Sequence, residues 1–181
     1  RRHTRSLCDW SSDVCSSDLN TASNQWQLRA KVIRISQESL ALEFALSAPA
    51  AELIWPAANC GGERRDELWQ STCLELFIAR AGDERYWEVN LSPSGDWNVY
   101  QLDGYRQGLK PEPSINSVAT TSNSGPDRHQ LQASLALPQA LIGAATLQAN
   151  LCAVLQDTNH SNSYWAVSHP GSQAEIGRAH V

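Results

Sequence analysis

The sequence predicts an all-β protein, a single antiparallel β-sandwich of the jelly-roll or immunoglobulin-like type with about ten strands. Three observations lead to this prediction. Several short runs alternate apolar and polar residues with a period of two, and turn-forming residues cluster between the runs. No long stretch shows a convincing helical period.

The first two strands are predicted to form a hairpin. Residues 28–36 and 40–46 flank a polar turn at residues 37–39. In the second run Leu40, Leu42, Phe44 and Leu46 alternate with smaller or charged residues, a pattern typical of a strand that buries one face. Residues 52–55 are predicted as a short strand before Pro56, and residues 59–67 as a polar loop.

Three further strands are predicted in the centre of the chain, at residues 72–79, 86–91 and 97–102. The turns between them lie at residues 81–84 and 92–95, and Asp103-Gly104 closes the last strand. The C-terminal part should add strands at residues 115–121, 131–137, 147–155 and 164–168, with one helical turn at residues 138–142. The chain stops soon after Pro170, so a closing strand can be missing there.

Both ends of the chain resemble translated sequencing adapters. Residues 9–19 read D-W-S-S-D-V-C-S-S-D-L, and residues 176–181 read I-G-R-A-H-V. We therefore predict non-native tails at residues 1–19 and 175–181 and one folded domain at residues 20–174. Outside the tails Cys60, Cys73 and Cys152 are odd in number and widely spaced, which predicts neither a disulfide framework nor a metal site.

Charge and hydropathy argue against two classes of partner. The formal net charge is −5, and no basic cluster of the kind that nucleic-acid binding requires is present. No apolar run approaches the length of a membrane span. The sequence leaves the oligomeric state undecided, and cytoplasmic and periplasmic locations both stay open.

Residues 69–106 carry the most distinctive motifs: W-Q-S-T-C-L-E-L-F-I, Y-W-E-V-N-L-S-P-S-G-D-W and D-G-Y-R, with Y-W-A-V-S-H-P at residues 164–170 as a weaker addition. In combination these resemble the DOMON-like domains, most closely the small bacterial members. That family is related to family 9 carbohydrate-binding modules and to haem-binding cytochrome domains. The resemblance implies a β-sandwich that binds a sugar or haem, and it does not name the ligand.

Four polar residues interrupt the central strands, and two interpretations of them compete. Glu75 and Glu88 could face one cleft as a general acid and base, as in glycoside hydrolases. Alternatively they are buried acceptors that fix the sheet, with Thr72 and Asn90 as partners. We predict the structural role for all four residues, and we predict no catalytic residue.

Flat aromatic rings with nearby polar groups are the second candidate site. Sugar-binding modules stack pyranose rings on such side chains, although aromatic residues also fill cores. Trp87 shares a strand face with Val89 and Leu91, which favours the core. The predicted ligand-binding residues are Trp69, Trp97, Tyr100, Asp103, Tyr105 and Arg106. Asn98, and Asn90 if it is not structural, are neighbouring polar groups that could contact sugar hydroxyls.

The leading prediction is a non-catalytic module that binds a small ligand, most plausibly a carbohydrate or glycan fragment, without a cofactor or a metal. One alternative is a haem-binding redox domain, for which His169 is the best axial candidate. Another is a protein-interaction module that pairs through an exposed sheet edge.

Overall fold

The computed structural model describes residues 8–10, 14–19, 26–59 and 61–166. These residues form two antiparallel sheets, which confirms the predicted all-β sandwich. The strands are β1 (Cys8–Trp10), β2 (Val14–Leu19), β3 (Gln27–Arg34), β4 (Ser39–Ser47), β5 (Cys73–Arg80), β6 (Tyr86–Leu91), β7 (Trp97–Leu102), β8 (Lys110–Pro111), β9 (Val118–Ser124), β10 (Arg128–Ala136), β11 (Leu147–Gln156) and β12 (Asn162–Ala166).

The smaller sheet has the strand order β2-β3-β4-β10-β9. β3 and β4 form the predicted hairpin, in which Val32 pairs with Leu42. In β10 buried and exposed residues alternate along the whole strand, because one face packs on the core and the other meets solvent. The alternation of apolar and polar residues in the sequence therefore reflects the burial of one face of this sheet.

The larger sheet has the order β1-β11-β5-β6-β7-β8, and β12 pairs with β11. Its central strands differ from those of the smaller sheet, because β6 is buried at every residue and β5 is buried from Cys73 to Ile78. Both faces of this sheet are therefore covered. The face turned away from the smaller sheet, called here the outer face, carries polar residues and is described below.

The core between the sheets is apolar and continuous. It contains leucines from both sheets and four tryptophan side chains, Trp26, Trp87, Trp97 and Trp165, each at most 4% exposed. Trp87 thus lies in the core as its strand pattern predicts. The burial of these large rings supplies much of the hydrophobic stabilisation of the sandwich.

The predicted strand boundaries agree best with the observed ones in the centre of the chain. β6 and β7 match the predicted residues 86–91 and 97–102. Residues 52–55 do not form a strand, so this prediction is wrong. Within them Leu53 makes an isolated bridge to Asp157. The predicted strand at residues 115–121 begins later, at Val118, because residues 112–115 turn to bury Glu112 and Ile115. The helical turn at residues 138–142 is a 3-10 turn at Gln139–Leu141.

Residues 8–10 and 14–19, which belong to the predicted non-native tail at residues 1–19, form β1 beside β11 and β2 beside β3. The domain boundaries stay a prediction. His169 lies outside the described residues. Within the described ranges no helix is long and apolar enough to cross a membrane.

Candidate functional site

Two rows of side chains cross the outer face of the larger sheet, from β11 to β7. Because directly paired residues of antiparallel strands point to the same side, the strand register places each row on one face. The first row is Cys152, Glu75, Asn90 and Asn98, and the second row is Asn150, Phe77, Glu88 and Tyr100.

These two rows form a polar cluster that is buried. Glu88 and Asn90 are 0% exposed, and Glu75 and Asn150 are 3% exposed. Charged and amide side chains are rarely buried unless other groups satisfy them, because their desolvation is costly. The outer face is therefore the part of the sandwich where packing alone does not account for the residue types.

Asn98 ties the polar loop before β5 to the sheet. Its Nδ2 donates hydrogen bonds to the Arg65 carbonyl oxygen at 2.9 Å, to Asp66 Oδ1 at 3.0 Å and to the Tyr100 hydroxyl at 2.8 Å. Its Oδ1 accepts from Arg64 Nη1 at 2.8 Å. The Asn98 side chain therefore fixes residues 64–66 against β7, and all of its donors are used within the protein.

Tyr100 joins this network and packs against the aromatic ring of Trp69 at its rim. Its hydroxyl donates to Asp66 Oδ1 at 2.7 Å. Burial raises the pKa of Tyr100, and the hydrogen bond to Asp66 raises it further, so the phenol stays a donor. The half-buried ring of Trp69, in the 3-10 turn Leu68–Gln70, packs edge-on against Tyr100 with ring centroids 5.9 Å apart.

Two buried amide oxygens on the outer face have no donor among the described residues. Asn90 Nδ2 donates to Glu88 Oε1 at 3.0 Å, which fixes the orientation of that amide and directs its Oδ1 away from Glu88. Neither Asn90 Oδ1 nor Asn150 Oδ1 accepts a hydrogen bond from the described part of the chain. A buried acceptor without a donor is costly, so each oxygen is a position where a ligand or water would be stabilised.

Two cysteine side chains, Cys73 and Cys152, also lie on the outer face. Burial raises the pKa of the Cys73 thiol well above its usual value, and the charges of Glu75 and Glu88 raise it further. Cys73 and Cys152 are both buried. Burial therefore makes both thiols poor nucleophiles.

Thr72 connects the start of β5 to both neighbouring segments. Its hydroxyl donates to the carbonyl oxygen of Ile54 at 2.5 Å and accepts from the backbone N–H of Gln156 at 3.1 Å. This geometry suits the structural role predicted for Thr72, because both partners are backbone groups of other segments.

The six residues predicted to bind ligand do not form one surface. Trp69 and Tyr100 lie together on the outer face. Trp97 lies on the opposite face, in the core at 4% exposure, with the Arg64 guanidinium carbon 4.5 Å from its ring centroid. The predicted position of Trp97 at a ligand surface is therefore corrected, because its register with Leu91 turns it inward.

The other three predicted ligand residues belong to an exposed turn after β7. Asp103 lies within 4 Å of two cations, Arg85 Nε at 3.9 Å and Lys110 Nζ at 3.8 Å. Tyr105 is 48% exposed, and the guanidinium carbon of Arg106 lies 5.4 Å from the centroid of its ring. The part of Asp103, Tyr105 and Arg106 in ligand binding stays a prediction.

Sequence reasoning missed Asp66 and Asn150. Asp66 lies in a polar loop whose path a strand pattern does not determine. Asn150 interrupts an otherwise apolar run in β11, opposite Phe77, and that interruption is the signal that could have identified it. Among the described residues no group of three or more His, Cys, Asp or Glu side chains is placed to hold a metal ion.

Comparison of folds finds solved structures with a similar β-sandwich. A protein of Bacteroides uniformis, described as a candidate carbohydrate-binding protein, superposes with a TM-score of 0.58 and 11% identity over 92% of this chain and 82% of that chain. A family 9 carbohydrate-binding module of Caldicellulosiruptor kristjanssonii, solved with cellotriose, gives a TM-score of 0.50 and 14% identity over 84% and 71%. No protein-family model and no curated protein matches the chain. At these identities the likeness shows the fold.

Proposed function

We propose that this protein is a non-catalytic, DOMON-like binding module whose outer face binds a carbohydrate. The observation that carries the proposal is the buried, donor-free Oδ1 of Asn90, held in place by the Asn90–Glu88 hydrogen bond within a polar sheet face. The fold shared with a family 9 carbohydrate-binding module supports it at the level of architecture.

Sugars fit this face for two chemical reasons. Their hydroxyl groups donate hydrogen bonds, and the buried oxygens of Asn90 and Asn150, which lack a donor among the described residues, are acceptors for such groups. Their C–H faces pack on aromatic rings, and Trp69 offers a half-buried ring beside the polar cluster. An apolar ligand would leave the amide oxygens without a donor, which would oppose its binding.

The same geometry argues against catalysis by Glu75 and Glu88. Glycoside hydrolases hold two carboxyl groups on either side of a bond, about 5–10 Å apart, with room for a water molecule. Here the two carboxylates lie on neighbouring strands of one sheet, and both are buried. Glu88 accepts a hydrogen bond from Asn90, an arrangement that holds it as a fixed acceptor.

Calorimetric titration with cellotriose and a panel of neutral oligosaccharides tests the proposal. We expect Trp69→Ala to weaken binding by about tenfold or more, because the ring contributes its contact area in a partly desolvated position. Trp55→Ala is the matched control. The Trp55 ring is also half-buried, but it packs on His129 at 5.2 Å beside the smaller sheet.

Two results would contradict this proposal. One is the absence of heat with every sugar of the panel while the wild-type protein is folded by circular dichroism. The other is equal loss of affinity in Trp69→Ala and Trp55→Ala, which would indicate a general effect of losing a tryptophan ring.

A further inference from the structure

The solvent face of the smaller sheet carries an open cavity of about 300 Å³ between β3, β4 and β10. Directly paired residues of antiparallel strands point to the same side, and two such rows line this cavity. They are Gln27, Ser47 and Arg128 in one row and Arg29, Ala45 and Gln130 in the other. All six residues are exposed, so a ligand in solution can reach their side chains.

The cavity exists because the middle strand has small side chains where its neighbours have long ones. Ala45 and Ser47 of β4 form the floor, and arginine and glutamine side chains of β3 and β10 stand on either side. The next residue on this face of β4 is Glu43, which pairs directly with Lys31. The floor is therefore limited to two residues at one end of the sheet.

The chemistry of the lining favours an anion. It contains two guanidinium groups, and no Asp or Glu is among the described lining residues. Arg29 already interacts with another group of the chain, so we assign the anion contact to Arg128, whose guanidinium has no hydrogen bond or ion pair within the described part of the chain. His129 also borders the cavity, but its ring is buried and both of its nitrogens have hydrogen-bond partners.

We propose that this cavity is a second ligand site, which binds an oxyanion carried on a molecule about the size of one sugar residue. A guanidinium group presents a planar set of donors that matches carboxylate and phosphate oxygens. The Ser47 hydroxyl and the amides of Gln27 and Gln130 can donate and accept, which suits the hydroxyl groups of such a molecule. A cavity of about 300 Å³ lies at the lower limit for small-molecule sites, which favours a single residue over an extended chain.

Chemical-shift titration of the isotope-labelled whole protein tests this site, at neutral pH and low salt. The probes share one ring and differ in charge: glucuronic acid, glucose 6-phosphate and glucose. We expect both anions to shift amide signals of β3, β4 and β10 in a saturable way, with dissociation constants in the millimolar range, and glucose to bind at least about tenfold more weakly. The tighter of the two anions identifies the preferred oxyanion, and added salt should weaken both because it screens the attraction.

A charge-removing variant connects the binding to the cavity. Arg128→Gln keeps a polar side chain at an exposed position and removes the positive charge, so we expect the affinity for both anions to fall by about tenfold. Lys110→Gln is the control, because it makes the same change in net charge on an exposed residue of the larger sheet. It should change the affinity by less than about twofold.

A second variant tests the shape of the cavity without changing its charge. Ala45→Leu places a larger side chain on the floor, so we expect it to abolish the shifts caused by both anions. Ala41→Leu makes the same substitution on the same face of β4, outside the lining, and should bind the anions as the wild type does. Both side chains point away from the core, so circular dichroism should show both variants folded.

Several results would overturn this inference. They are the absence of saturable shifts in β3, β4 and β10 with either anion, equal binding of glucose and the anions, and unchanged anion affinity in Arg128→Gln or in Ala45→Leu. None of these results affects the carbohydrate site proposed on the outer face, which belongs to the other sheet and is tested with neutral oligosaccharides and Trp69→Ala.

Discussion

At the scale of single residues, Arg64 shows how one side chain can hold several backbone segments. Its guanidinium donates to Asn98 Oδ1 at 2.8 Å, to the Val99 carbonyl at 3.3 Å and to the Glu112 carbonyl at 3.2 Å, and it also contacts the Ile115 carbonyl. It lies over the Trp97 ring as well. A planar fork with several donors can reach all of these acceptors at once, whereas an ammonium group cannot.

Arg64→Lys should therefore destabilise the protein although it preserves the charge. We expect the free energy of unfolding to fall by about 2–3 kcal/mol, because carbonyl oxygens at the edge of the sheet lose their donors. Urea denaturation followed by tryptophan fluorescence measures the change. Arg85→Lys is the control, since Arg85 is exposed and only approaches Asp103 at 3.9 Å; it should change stability by less than about 0.5 kcal/mol. Equal stability of the two variants would contradict the role given to Arg64.

At the residue scale, predictions of which way a side chain faces are right for some residues and wrong for others. Trp87 lies in the core as predicted, because its own strand pattern gives the facing. Trp97 lies in the core as well, contrary to its predicted place at a ligand surface. Trp97 begins β7 directly after a turn, and a short alternating run does not fix which face is inner. Asn98 was recognised as polar, but its partners Asp66 and Arg64 come from a loop whose path the sequence does not give.

At the scale of elements, the loop at residues 59–67 positions polar and aromatic groups on the outer face. It positions Asp66 on Tyr100 and leads to the 3-10 turn that carries Trp69. The loop is docked on the turn between β6 and β7, where the Asn59 N–H donates to the Ser94 carbonyl at 2.8 Å. At Gly62 the two segments approach so closely that a Cβ atom would lie 1.9 Å from the carbonyl oxygen of Gly95.

Gly62→Ala should therefore displace the loop. The overlap is with backbone, so a side-chain rotation cannot relieve it, and we expect a loss of about 2–3 kcal/mol in the free energy of unfolding. Because the loop leads to Trp69, sugar affinity should fall in the same variant. Gly104→Ala is the control, since a Cβ there meets no atom within 4 Å and its φ is not in the left-handed region. Thermal melting and calorimetry give both readouts, and a Gly62→Ala protein as stable as Gly104→Ala would show that the close approach is not required.

At the scale of the whole molecule, two carboxylates couple stability to pH. Burial by itself would raise the pKa of Asp96, but hydrogen bonds from the Glu63 N–H and the Asn59 amide and the charge of Arg65 lower it below its usual 3.8. Burial likewise acts to raise the pKa of Glu112, and hydrogen bonds from Ser114 and from the Trp87 indole at 2.7 Å lower it below 4.5. Both groups thus favour the folded state in their ionised forms.

These lowered pKa values determine how the stability of the protein changes with pH. A carboxyl group whose pKa is lower in the folded protein contributes stability above its unfolded pKa, and this contribution is lost as the pH falls through the folded pKa. We expect the urea midpoint to be steady above the usual values of 4.5 and 3.8 and to decline as the pH falls below them. Asp96→Asn and Glu112→Gln should each flatten this decline, whereas Asp127→Asn, at an exposed turn, should not. A decline of equal slope in the wild type and in both variants would contradict this assignment.

The sequence by itself determined the all-β class, the antiparallel sandwich and the central strands β5 to β7, because a period of two and turn residues are local properties of the chain. It also identified Glu75, Glu88 and Asn90 as residues that a plain core strand does not need. Only the tertiary structure decided that these residues share one buried face with Asn98, Asn150 and Tyr100, and that Trp97 does not. The reason is physical: facing depends on strand register and on loops that dock from distant parts of the chain, and neither is encoded in a local pattern.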